Sequence, residues 1–202
     1  MEFQSNGTNV IHFVDGAEHS LLDWHKEALT SAAAHFLDCF RIEHEVDVYV
    51  SRRSVLHAMS SNSRAWHMPP TFDRNNSLVC VYIDPDLEIE DNIELLAHEM
   101  IHAWQVDRGD LVGHIWKGVD CVGLPYNLQP WEIEAHGHMG KVAKYFFSDN
   151  KPTRADLTAI TSTTDQIFTS IEETVKASAF REKATKVAKV AGALGLGLLI
   201  GV

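Results

Sequence analysis

The sequence has few of the features that mark secreted, membrane-spanning and nucleic-acid-binding proteins. It contains three widely spaced cysteines, Cys39, Cys80 and Cys121, and no CxxC pair, which excludes a zinc knuckle and a dithiol redox motif. No basic segment followed by an apolar core opens the chain, so we predict an intracellular, cytoplasmic protein with reduced thiols. With 17 basic against 28 acidic side chains, the net charge of -11 argues against nucleic acid as a partner.

Long hydrophobic runs are also scarce. Residues 191–202 (AGALGLGLLIGV) are wholly apolar, but a membrane-spanning helix needs about 20 such residues. We therefore interpret 183–202 as a packed or flexible tail, and contact of this tail with a membrane or a partner is the second interpretation. The 202 residues, 45% of them apolar, can bury one sizeable core, so we predict a single domain over 1–182.

Hydrophobic periodicity predicts an α+β fold. Alternating and continuous apolar runs predict strands over residues 43–50 and 78–83, and short alternating pieces predict a hairpin within 113–123. Apolar residues at helical spacing predict helices over residues 17–40, 91–108, 130–147 and 154–181. These elements would place any site on a small sheet covered by helices.

The strongest chemical signal is the HExxH sequence from His98 to His102. Residues four apart on a helix are neighbours, so the two histidines can hold one zinc ion together, with Glu99 placed as a general base. The apolar residues of the predicted helix fall on the opposite stripe, which comprises Ile93, Leu96, Ala97, Met100, Ala103 and Trp104. This separation favours a metal-binding face over a pair of core histidines.

A catalytic zinc site usually has three protein ligands, so a third must come from another part of the chain. The metzincin pattern is excluded, because Arg108 occupies the place of its third histidine. Glu134, Glu132 and His114 are the remaining candidates. Both glutamates lie near the start of a predicted helix, where the helix dipole favours a carboxylate without any metal, and this explanation fits Glu132 better.

The downstream segment PWEIEA, residues 130–135, resembles the third-ligand helix of thermolysin-like gluzincins, in which a Glu-Ala pair supplies the ligand. Together with HEMIHAWQ and the Trp116-Lys117-Gly118 segment, it also resembles small gluzincin-like proteins encoded by bacteriophages and their hosts. The resemblance covers about residues 78–147, which would be the catalytic core. It implies Zn²⁺ held by His98, His102 and Glu134, and a minigluzincin-like fold in which a small β-sheet packs on the HExxH helix and on a second ligand-bearing helix.

The sequence departs from this family in two places. Ile133 precedes Glu134 where thermolysin-like enzymes have Asn, and His138 stands where they have an Asp that supports a ligand histidine. The role of His138 therefore stays open. The segment GHIWKG loosely resembles the histidine-containing segment of SprT-like proteases, which implies His114 as the third ligand instead.

The predicted activity is that of a zinc metallopeptidase, which hydrolyses a bond in a peptide or protein substrate by zinc-activated water with Glu99 as general base. Candidates to stabilise the oxyanion are Tyr126, His114, His136 and His138. The alternative is a metal-stabilised structural or binding module without turnover, such as a virion or partner-docking protein. Glu99 favours catalysis, because a structural site does not require it. A phage origin would imply association with the virion.

Overall fold

The computed structural model of the chain describes residues 2–5, 9–13, 22–43, 45–52, 65–68, 77–83, 88–148 and 151–162, and single residues or pairs between 165 and 173. The chain consists of two compact units, which are Met1–Ile160 and Thr161–Val202. The predicted tail, 183–202, and the predicted boundary at residue 182 lie outside the described residues and stay predictions.

The first unit contains a five-stranded mixed sheet, whose strands are β1 (Glu2–Ser5), β2 (Asn9–Phe13), β3 (Val46–Arg52), β4 (Ala65–Met68) and β5 (Ser77–Ile83). Their order is β1-β2-β3-β5-β4. The central strands β2, β3 and β5 are parallel, and the edge strands β1 and β4 pair antiparallel. Parallel neighbours need a crossover connection, and between β2 and β3 it contains a helix, α1 (Asp23–Phe40).

Two further helices complete the frame of the site, α2 (Ile89–Asp107) and α3 (Pro130–Phe147). Helix α2 is central, because it packs against β4, β5, α1 and α3. Its apolar stripe enters a core that is shared by the helices and the sheet and includes Phe36, Val48, Val79, Leu96 and Met100. Helix α3 begins with Pro130 at its first position, where the missing N–H costs no helical hydrogen bond.

A second, three-stranded antiparallel sheet follows α2 and comprises β6 (Leu111–Val112), β7 (Ile115–Trp116) and β8 (Val119–Asp120). Its tight turns use Gly113 and Gly118, whose φ values of 61° and 83° suit glycine. Leu111 pairs with Trp116, and both side chains are buried. This sheet takes the place of the predicted hairpin, and a 3₁₀ turn (Tyr126–Leu128) then leads into α3.

The combination of helices with small sheets agrees with the predicted α+β class. Helix α3 has the predicted bounds, and α2 begins two residues before the predicted start. The parallel pairing at the centre of the first sheet was not predicted. Of the described helices, none is both long enough and apolar enough to cross a membrane.

The buried thiol of Cys39 provides a test of the fold in solution. Burial and the neighbouring Asp38 carboxylate raise the pKa of Cys39 from 9.0 to about 11, although Lys151 lowers it somewhat. Because the thiolate is the nucleophile, we expect the native protein at pH 8 to react with iodoacetamide at Cys39 about 100-fold more slowly than the unfolded chain. The native rate should rise as the pH approaches 11.

Mass spectrometry of the Cys39 peptide during alkylation, with and without denaturant, measures this difference. The Cys121 thiol, which is also buried, provides an internal comparison within the same digest. Equal rates in native and denatured protein would show that Cys39 is not buried as described.

Candidate metal centre

The two histidines of the HExxH sequence lie side by side on α2. The Nε2 atoms of His98 and His102 are 3.1 Å apart, and their rings meet edge to face. Both side chains are buried, since each residue exposes 5% of its surface. The polar face that the sequence predicts for α2 is thus covered, and α3 is the helix packed most extensively along α2.

Glu132, in the first turn of α3, lies across both imidazoles. Its Oε2 is 3.3 Å from His98 Nε2, and its Oε1 is 3.5 Å from His102 Nε2. Burial alone would raise the pKa of this carboxyl, but hydrogen bonds with His102, His98 and Tyr126 hold it well below its usual range. Glu132 is therefore a carboxylate whose two oxygens both face imidazole nitrogens.

Glu134 has different partners, and here the structure differs from the ligand set implied by the sequence. Its side chain is fully buried, and its Oε2 accepts hydrogen bonds of 2.8 Å from Gln105 Nε2 and of 2.8 Å from Arg108 Nη2. Residues i and i+2 of an α-helix are about 200° apart around the helix axis. Glu132 and Glu134 therefore project from different sides of α3. The structure therefore brings Glu132, and not Glu134, against the two imidazoles.

Glu99 lies beside the imidazole pair and is also buried. Its Oε1 is 4.0 Å from His98 Nε2, and its Oε2 has no hydrogen-bond partner among the described residues. Burial raises the pKa of Glu99 to about 8, against the opposing effect of His102. A carboxyl group that titrates near neutral pH is suited to both accepting and releasing a proton.

The two imidazoles differ in their preference for a proton. Burial lowers the pKa of His98. Burial also acts to lower the pKa of His102, but the hydrogen bond to Glu132 and the charges of Glu99 and Glu132 outweigh it and raise the value to about 9. In the metal-free site, the Glu99 and Glu132 carboxylates therefore favour the protonated form of His102.

Tyr126 and His136 lie at the exposed rim of the cluster that His98, His102, Glu99 and Glu132 form. The hydroxyl of Tyr126 is 3.4 Å from His136 Nε2, which in turn lies 3.9 Å from Glu132 Oε2. Burial and the neighbouring Glu132 carboxylate raise the pKa of Tyr126, so its hydroxyl keeps its proton. Among the described residues, the candidate ligand atoms of His98, Glu132 and His136 all lie within 4.8 Å of one another.

The other two histidines singled out from the sequence lie elsewhere. His114 is exposed in the turn between β6 and β7, with its ring centroid 6.3 Å from that of Trp131. His138 is half-buried, and the charges that act on it are those of Glu134 and Lys141. Of the four oxyanion candidates, the structure thus places Tyr126 and His136 beside the cluster.

Two residues in contact with this site were missed by the sequence analysis. Gln105 is fully buried, and its Oε1 is 2.8 Å from His102 Nδ1. Arg108 was used to exclude the metzincin pattern, and no role was considered for it. The sequence did contain a signal for Gln105. It stands three positions after His102 and seven after His98, and residues at these spacings lie on the same face of a helix.

Comparisons with known proteins identified no relative of this chain. No protein-family model, no curated protein and no solved structure matched the chain. The resemblance to gluzincins therefore depends on the HExxH and PWEIEA segments.

Proposed function

We propose that this chain is a zinc-dependent peptidase in which His98, His102 and Glu132 bind the metal and Glu99 is the general base. The observation that carries the proposal is the meeting of two imidazole nitrogens, 3.1 Å apart, with a carboxylate from a second helix. Its Oε2 is 3.3 Å from His98 Nε2, and its Oε1 is 3.5 Å from His102 Nε2. The supporting fold would be minigluzincin-like, with a small sheet, the HExxH helix α2 and the ligand-bearing helix α3.

These separations fit zinc. Bonds of about 2.0–2.2 Å in a tetrahedral arrangement place neighbouring ligand atoms roughly 3.3–3.6 Å apart. The two imidazole nitrogens, 3.1 Å apart, and their contacts of 3.3 and 3.5 Å with the two Glu132 oxygens are close to this range. Two imidazole nitrogens and one carboxylate oxygen form a His₂Glu donor set, which is common in zinc hydrolases. Calcium and magnesium favour more numerous oxygen ligands, so the donor set argues against them.

When bound, zinc would supply Lewis-acid polarisation of a carbonyl group and acidification of water. Glu99 takes the proton from the attacking water and passes it to the nitrogen of the departing amine. Its Oε1 is 4.0 Å from His98 Nε2, and its Oε2 has no hydrogen-bond partner among the described residues, so the carboxylate is available for this transfer. Tyr126 and His136 are the donors placed at the rim to bind the oxygen that gains negative charge.

His136 also supports the second candidate, a structural or binding module without turnover. If its Nε2 joined the three ligands, the site would have four protein ligands, as structural zinc sites do. We favour the open site for two reasons. The distance of 3.9 Å between His136 Nε2 and Glu132 Oε2 exceeds the distances that join Glu132 to His98 and His102. In addition, half of the His136 side chain is exposed, and its Nε2 contacts the Tyr126 hydroxyl.

Metal content tests the proposal directly. We expect the purified protein to retain one zinc ion per chain after dialysis, and His98→Ala and His102→Ala each to retain almost none. The two remaining ligands cannot hold the ion against water and a chelator. Elemental analysis of dialysed protein gives the stoichiometry.

His114→Ala is the matched control, because it removes an exposed imidazole from the turn between β6 and β7. It should keep full zinc occupancy. Stoichiometric zinc in folded His98→Ala, or loss of zinc in His114→Ala, would contradict the assignment.

A further inference from the structure

The buried amide of Gln105 connects the metal centre with the interface between α2 and α3. Its Oε1 is 2.8 Å from His102 Nδ1, and its Nε2 donates to the carbonyl oxygen of Trp131 at 3.0 Å and to Glu134 Oε2 at 2.8 Å. The side chain is fully buried, so water does not compete for these bonds. One amide thus reaches a candidate metal ligand and two groups of the opposite helix.

The partners of the amide fix its orientation. The carbonyl oxygen of Trp131 can only accept a hydrogen bond, and Glu134 Oε2 also accepts one from Arg108, which can only donate. The NH₂ group of Gln105 must therefore face these two acceptors, and its oxygen must face His102. It follows that His102 Nδ1 carries a proton and donates it to Gln105.

This protonation decides which nitrogen of His102 can bind a metal. In the neutral ring with a proton on Nδ1, the lone pair is on Nε2, the atom that faces Glu132 and His98. Metal-binding histidines are commonly oriented in this way, by a hydrogen bond from the other ring nitrogen. The contact from Gln105 to the Trp131 carbonyl also holds the first turn of α3, next to Glu132.

We propose that Gln105, anchored by the Glu134–Arg108 ion pair, is a positioning residue that presents His102 and Glu132 to the metal. This role rests on the proposed zinc site. It assigns Glu134 and Arg108 a shared task, which is to hold the Gln105 amide in the orientation that His102 requires. A residue that merely joined the two helices would need the contacts to Trp131 and Glu134 but not the contact to His102.

Zinc affinity and a spectroscopic signature separate these two roles. Gln105→Met keeps the length of the side chain and removes all three hydrogen bonds. We expect its zinc affinity, measured by competition with a chelator, to fall by about 10- to 100-fold. The visible absorption of the cobalt-substituted protein, which reports ligand geometry, should change as well.

Gln129→Met is the matched control. Gln129 precedes α3 and donates to the Leu124 carbonyl, so this variant also loses a glutamine hydrogen bond but none to a histidine. Its zinc affinity and cobalt spectrum should equal those of wild type. Thermal unfolding of the metal-free variants shows how much of any change is general loss of stability.

A second pair of variants keeps the test decisive if Gln105→Met does not fold. Glu134→Met removes the acceptor that orients the amide and should weaken zinc binding, whereas Glu134→Gln still offers an acceptor oxygen and should restore most of the affinity. Wild-type affinity and an unchanged cobalt spectrum in Gln105→Met or Glu134→Met would overturn the positioning role and leave the zinc site standing. If the wild-type protein itself binds no zinc, both the proposed function and this inference fail.

Discussion

We expect Glu132→Ala to lose stoichiometric zinc binding and Glu134→Ala to keep it with reduced affinity. Glu132 offers one carboxylate oxygen to each imidazole, so its removal leaves His98 and His102 alone. Glu134 contacts Gln105 and Arg108, so its removal acts on the metal through Gln105. Elemental analysis and chelator competition on the two purified variants measure the difference.

Stability should fall in both variants, because each removes a buried carboxylate that other polar groups contact. Glu134→Ala leaves the donors of Gln105 and Arg108 without their buried acceptor, which costs about 1–3 kcal/mol of unfolding free energy. Glu132→Ala removes the buried carboxylate partner of both imidazoles, so it should also destabilise the metal-free protein. Stoichiometric zinc in folded Glu132→Ala, combined with its loss in Glu134→Ala, would restore the ligand set first implied by the PWEIEA segment.

The local elements of this site were predictable from the sequence because their determinants are local. The apolar stripe and the HExxH spacing define α2, and Pro130 marks the start of α3. The order of strands in the five-stranded sheet was not predictable, since the parallel pairing of β3 with β5 joins residues that are distant in sequence. Periodicity shows that a strand exists but does not identify its neighbour.

The third ligand could not be decided from periodicity for a related reason. Glu132 and Glu134 both lie near the start of α3, and the sequence pattern permits either to point towards the HExxH helix. The choice depends on how α2 and α3 pack together. In the structure, Arg108 and Gln105, both near the C-terminal end of α2, bind Glu134, and this leaves Glu132 at the imidazoles.

The largest effect on catalysis is expected from Glu99→Gln. Glu99 lies beside His98 but is not one of the three proposed zinc ligands. The variant should therefore bind zinc as wild type does. The amide keeps the size of the side chain and stays neutral when buried, so stability should be close to that of wild type. The amide cannot accept the proton of water, and hydrolysis should fall by about 10²-fold or more.

Measuring this loss requires a cleavable substrate, which a peptide library or autoproteolysis can provide. Glu90→Gln is the control, because Glu90 is an exposed residue in the first turn of the same helix and the variant makes the same chemical change. Zinc content, thermal unfolding and cleavage rate should all stay at wild-type values in Glu90→Gln, whereas Glu99→Gln should lose the cleavage rate alone. A wild-type cleavage rate in zinc-loaded Glu99→Gln would remove the general base from the mechanism and, with it, the peptidase proposed here.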